Sequence, residues 1–239
     1  MSAALLGILA YVFAQLVLVL IVARRIRGED DYLLAGRRFG PVLATFTIFA
    51  TWFGAETCIG AAGAVYEGGL SNSTADPFGY AVCLFLMGLV FAVPLWRRGL
   101  TTLADLYRQR FSPGVERLAA VLLVPTSVMW AAAQIRALGQ VVSASSAFDV
   151  ELAIAVAAGV VVLYTVYGGL LANGITDLIQ GLMVMVGLVV VLFAVVNAGG
   201  GVEASLAAID PQRLRLFDGP PLAVLEKWAV PIMGSALAQ

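Results

Sequence analysis

From Leu5 to Ala23 the chain reads LLGILAYVFAQLVLVLIVA, without a single charge. About 20 apolar residues are what a helix needs to cross a bilayer, and runs of this kind recur along the sequence. Set off by charged or Gly/Pro-rich segments, they predict helices near 4–23, 41–65, 77–96, 118–145, 151–167 and 175–197, with another opening near 224. In lipid only helices and closed barrels satisfy every backbone N–H and C=O. These runs are too long and too uniformly apolar for the alternating strands of a barrel, so the fold class is an all-α polytopic membrane protein.

Composition agrees: 61% of residues are hydrophobic, 12% are charged, and the mean hydropathy is +0.96. A net charge of −1 and the absence of histidine give no footprint for nucleic acid and no imidazole for a metal. Cys58 and Cys83 fall inside apolar segments at no zinc or redox spacing and read as small core residues. The first apolar run lacks a basic n-region and is followed by arginines, so it reads as a retained helix rather than a cleaved signal. Without a Walker loop, G-x-S-x-G or H-E-x-x-H, nothing points to an enzyme.

Arginine placement predicts topology. Arg24, Arg25, Arg27, Arg37 and Arg38 follow the first helix and Arg97, Arg98, Arg108, Arg110 and Arg117 follow the third, against Arg213, Arg215 and Lys227 on the other side. This implies an integral plasma (inner) membrane protein with its N-terminus outside. Trp96 and the segment TTLADLYRQRF read as an interfacial anchor and a short amphipathic cytoplasmic helix. Residues 198–223, with a glycine run, Asp210-Pro211 and Pro220-Pro221, read as an external loop. Residues 1–239 form one transmembrane domain on this reading. The final run, ending VPIMGSALAQ, covers only about half a membrane at ~1.5 Å per residue, which suggests a partial chain lacking its C-terminal half.

The charges inside the apolar runs are the candidates for chemistry, because ionisable groups in a membrane are rare and line pathways or pair with one another. Glu56 stands in ATWFGAETCIG, in a helix crowded with Gly54, Gly60, Gly63, Gly68 and Gly69. Each glycine weakens a helix interior by roughly 1 kcal/mol, so this helix is able to break locally; close packing through Gly60, Ala64 and Gly68 is the plainer alternative. Glu56 lies about 22 Å from the cytoplasmic end, slightly beyond the midplane. Asp76, ahead of Pro77, serves as an N-cap, lines a cavity, or both. Arg136 comes at similar depth as a partner for either carboxylate or as a snorkelling arginine. Asp177 opens the 175–197 helix, where the helix dipole accounts for an acid in the first turn.

The ordered set DDYLLAGRRFGPVLATFTIFATWFGAETCIGAAGAVYEGGL, TTLADLYRQRF and YTVYGGLLANGITDLIQG resembles the sodium/solute symporter family. The resemblance implies an inverted-repeat, leucine-transporter-like fold, here an extra N-terminal helix, the first five-helix repeat and the start of the second. It also implies sodium-coupled symport of a small organic solute by alternating access. By position, the family's sodium site takes the backbone carbonyls of Ala50 and Phe53, and its solute contacts fall on Glu56, Thr57, Asp76 and Gly79. Thr57 and Gly79 replace larger or hydroxyl-bearing groups of the sugar-transporting branch, which speaks against a sugar. DDYLLAGRRF and DPFGYAVCLFLMGLVFA look closer to the choline-transporter-like branch, for which Trp52, Phe53, Tyr80 and Trp130 offer aromatic faces. Asp177 matches an aspartate tied in the family to sodium release. The same resemblance leaves open a solute-sensing input domain of a larger signalling protein, or a non-transporting fragment.

Overall fold

A computed structural model describes residues 3–54 and 56–238, with the side chains of residues 3, 4, 56 and 235–238 outside that description. Among the described residues there is no strand. The helices are α1 (Ala3–Ala23), α2 (Glu29–Leu34), α3 (Pro41–Trp52), α4 (Ala62–Gly68), α5 (Tyr80–Leu86), α6 (Ala92–Arg97), α7 (Leu103–Arg110), α8 (Pro113–Ser145), α9 (Val150–Ala198), α10 (Val202–Ala207) and α11 (Pro221–Ala238). Wider π-helical turns lead into α4 at Glu56–Ala61, into α5 at Thr74–Gly79 and into α6 at Met87–Phe91. Among the described residues, four helical stretches are long and apolar enough to cross a membrane: Leu5–Ala23, Thr74–Arg97, Pro113–Ser145 and Val150–Ala198.

Several predicted boundaries change, two of them in the long helices α8 and α9. The runs expected at 151–167 and 175–197 belong to one assignment of 49 residues, α9. At ~1.5 Å per residue that is about 74 Å, more than twice the ~30 Å apolar core. A single residue divides it, Gly169, with φ 57 and ψ −168. Only glycine adopts that conformation readily. The polar stretch after it is helical throughout, with Thr176 Oγ1 donating to the carbonyl of Asn173 at 2.8 Å. Likewise α8 begins five residues before its expected start. Ser112 caps it by accepting from the Val115 amide at 3.3 Å, and Pro113 takes the first position, where a missing N–H costs nothing.

The chain forms two compact units, Met1–Thr51 with Leu100–Gly181, and Trp52–Gly99 with Leu182–Gln239. In the first, Val19, Val22 and Ala172 form a buried cluster to which Leu18, Tyr164, Leu171 and Ile175 add. Small residues let helices approach. A Cβ on Gly139 of α8 would lie 2.5 Å from Ile154 Cγ1 and 2.7 Å from Ile154 Cα on α9, and Ala153 and Ala157 nearby are buried. Tyr32 of α2 closes on the break in α9, its hydroxyl donating to the Thr165 carbonyl at 3.0 Å. That carbonyl lies in the last turn before Gly169, where helical partners run out. The expected amphipathic helix is α7, and the Asp105 carboxylate accepts from the Thr102 and Thr101 amides at 2.7 and 3.0 Å at its start.

In the second unit, α11 packs along Thr74–Gly79 and α5. Its Lys227 Nζ donates to Ser71 Oγ at 3.0 Å, and Phe217 and Phe78 both lie against Trp228, at centroid distances of 5.0 and 5.2 Å. The 198–223 segment is held as well: Arg213 donates through its guanidinium to the Tyr66 carbonyl. Gly69, at φ +77, lets the backbone of Arg213 come within 2.8 Å of where a Cβ would stand. Both cysteines are free, Cys83 buried and Cys58 exposed.

Candidate functional site

The glycine-rich apolar run does break. Regular α-helix stops at Trp52, Phe53 and Gly54 are bent, and helical backbone resumes in the π turn at Glu56. An α-helix leaves its last four carbonyls without i+4 donors, and Ala50 belongs to that turn of α3. Phe53 is the first residue beyond it. Both are half-buried. These are the two residues whose backbone carbonyls the resemblance assigns to a sodium ion.

Just past the break, Thr57 and Asp76 meet. Thr57 Oγ1 lies 2.5 Å from Asp76 Oδ2 and 3.1 Å from the carbonyl of Trp52. The hydroxyl has one proton for two acceptors, and the shorter contact, to the acid, takes it. Asp76 is itself the irregular point of its segment, extended at φ −121 and ψ 122 between helical neighbours. Its carboxylate is therefore turned to Thr57, which goes beyond the N-cap expected from Asp-Pro alone. Gly79 and Tyr80, one turn later, are buried. Tyr80 meets Trp52 edge to face, with centroids 4.7 Å apart at 63°. One acid, one hydroxyl and an aromatic pair thus converge within the second unit, on the segments flanking the break.

The other candidates fall elsewhere. The side chain of Glu56 lies outside the described residues. Arg136 is exposed on α8, and the ion pair found among the described residues is Arg108 with Glu116, at 3.7 Å. Trp130, also on α8, is 47% exposed. Asp177 is not in a first turn: with the break at Gly169, it stands two turns into the second half of α9. There it shares a face with Gly174 and Gly181, whose missing side chains admit Phe39, Phe46 and Thr47. The Asp177 carboxyl sits beside the Thr47 hydroxyl of α3, whose buried oxygen has no well-formed hydrogen bond. The dipole explanation no longer applies, and a carboxylate held on a glycine-lined face against α3 takes its place.

Sequence reasoning used Lys227 only as a topology marker and passed over Trp228. Both contribute to the second unit through α11, and Trp228 Nε1 is buried without a partner among the described residues. Their separation of some 150 residues from the 66–78 segment left no local signal to read.

Comparison with known proteins gives the context. The family model "Sodium:solute symporter family" matches residues 32–224. The chain is 32% identical to "High-affinity choline transporter 1" of Caenorhabditis elegans, over 92% of this chain and 43% of that protein. It is 34% identical to "High affinity choline transporter 1" of Homo sapiens, over 67% of this chain and 28% of that protein. To the "Sodium/pantothenate symporter" of Escherichia coli it is 29% identical, over 77% and 39%. The chain thus spans less than half the length of each of these relatives. No solved structure matches it significantly. A match over most of the chain shows that this protein belongs to the sodium:solute symporter family.

Proposed function

We propose that the chain carries the first half of a sodium-coupled symporter for a small organic solute, working by alternating access, with its N-terminus outside. The observation that carries this reading is the Thr57–Asp76 contact beside the interrupted helix. In lipid an acid without a role is costly, and irregular backbone persists where it lines a cavity or binds an ion. On this reading the carbonyls of Ala50 and Phe53 contribute to sodium binding, and Glu56, Thr57, Asp76 and Gly79 contribute to solute binding, as the resemblance implies. Asp177 acts on the ion's exit.

For the solute we favour a quaternary or other organic cation. A carboxylate beside aromatic edges and faces suits such a group through charge and cation–π attraction, and Asp76 with Trp52 and Tyr80 supplies both. The names of the choline-transporter relatives support the same class. The test is uptake into proteoliposomes under an inward sodium gradient, with choline, pantothenate and proline offered in parallel. The expected result is sodium-driven accumulation of choline alone. Accumulation of pantothenate or proline in its place refutes the cation reading, and equal uptake with sodium replaced by potassium refutes sodium coupling.

A further inference from the structure

Where α1 ends, the first unit holds a cavity of about 550 Å³ whose wall includes Arg24, Arg25, Arg27, Arg38, Asp31 and Leu171. That lies within the ~300–1,000 Å³ span of ordinary ligand pockets. Four arginines and one aspartate thus line the same cavity, and among the described residues none of the four arginines lies in an ion pair. Asp31 is engaged locally, accepting from the Arg27 amide at 3.1 Å. Glu29 and Asp30, on the same short α2, are exposed and lie outside the lining. Topology alone requires arginines on one face of the membrane. It does not require them to converge from the end of α1, the turn after it and the segment past α2 around one hollow. The left-handed backbone at Ala35, Gly36 and Arg37, with φ 49, 60 and 55, turns the chain back so that Arg38 joins the others.

We infer that this cavity binds the phosphate headgroup of an anionic phospholipid, held by the guanidiniums of Arg24, Arg25, Arg27 and Arg38. Arginine forks match phosphate oxygens two at a time, and basic pockets at the membrane surface recognise anionic headgroups. The position favours a lipid over a free anion. One turn before the cavity, Leu20 and Ile21 of the apolar α1 span are 55% and 58% exposed, a surface against which acyl chains would lie while the headgroup enters. The inference stands apart from the solute site and does not depend on it.

The test is native mass spectrometry of the purified chain in a neutral detergent, with dioleoyl phosphatidylglycerol or phosphatidylcholine added, and with inorganic phosphate alone. The protein is expected to retain phosphatidylglycerol at least ~5-fold over phosphatidylcholine, in line with the ~1 kcal/mol that each basic residue contributes near an anionic surface. R24Q/R38Q should lose that preference and R97Q/R98Q, with the same charge removed elsewhere, should keep it. Equal retention of both lipids, or equal loss in both double variants, would overturn the proposal. Binding of phosphate without phosphatidylglycerol would show a free-anion site and overturn the lipid assignment. If R24Q/R38Q does not melt cooperatively, the single variant R38Q carries the test: a loss of preference supports the site, and full retention refutes it.

Discussion

The Thr57 hydroxyl donates to the Asp76 carboxylate at 2.5 Å, joining the π turn after the broken helix to the irregular start of the next. Hydrogen bonds to charged groups contribute ~1.5–3 kcal/mol. Thr57→Val should therefore weaken solute binding by roughly 10–100-fold if the pair organises the site. In a double-mutant cycle with Asp76→Asn, the two losses should fall short of additive, because each removes the same contact. Solute binding by isothermal titration checks this, and additive losses would dissociate the two residues.

Gly139 is a packing requirement of the first unit. A methyl there meets the backbone of Ile154, with Cα at 2.7 Å and N at 2.9 Å, as well as its side chain. Gly139→Ala should cost about 1–3 kcal/mol, as overpacking does, and lower the melting temperature in detergent. Adding Ile154→Ala should not restore it, since the backbone contact remains; recovery would place the clash in the side chain alone.

Gly169→Ala tests the break in α9. Its φ of 57 with ψ −168 suits glycine alone, and a Cβ would stand 2.8 Å from the Tyr32 carbonyl. The strain is worth ~1–3 kcal/mol. Greater loss of stability than in Gly187→Ala, where a Cβ meets nothing within 4 Å, is the expected outcome of thermal denaturation.

At α7 the Thr102 and Thr101 amides hold the Asp105 carboxyl below its usual range, with the Arg108 charge adding to the effect. A depressed folded-state pKa contributes stability above the ordinary carboxylate value and loses it as pH falls through the depressed one. Hydrogen exchange should show the Thr101 and Thr102 amides protected at pH 6, with protection lost only below the ordinary aspartate range near ~3.9. In Asp105→Asn their protection should be weaker at pH 6 and insensitive to acid.

Asp177→Asn separates ion handling from structure. With the carboxyl beside Thr47 on a glycine-lined face, the variant should fold normally and require several-fold more sodium for half-maximal uptake. An unchanged sodium dependence would return Asp177 to a packing role.

What the sequence made legible follows from how local each signal is. Uncharged runs near 20 residues identify spans because bilayer thickness fixes their length, and Gly54 beside an acid marked the helix that breaks. The amphipathic segment TTLADLYRQRF marked α7 in the same way. The gap expected at 168–174 contains the break at Gly169 but was drawn too wide, because composition shows where a helix is able to stop, whereas one φ decides where it does. Asp177 followed that error into a first turn it does not occupy. Thr57 and Asp76 came together as candidates through family resemblance, and their contact needed coordinates. Lys227 and Trp228 reach the 71–78 segment across some 150 residues, which no window along the chain captures.

The central claim is that Asp76 reads the solute in a sodium-driven cycle. The most direct measurement is the initial rate of sodium-gradient-driven choline uptake by proteoliposomes carrying Asp76→Asn, beside wild-type protein at matched reconstitution and equal thermal stability. A fall of at least ~10-fold at low solute, in keeping with loss of a charge-assisted contact, is the result expected. Wild-type uptake kinetics in Asp76→Asn would contradict it and remove the Thr57–Asp76 pair from the solute site.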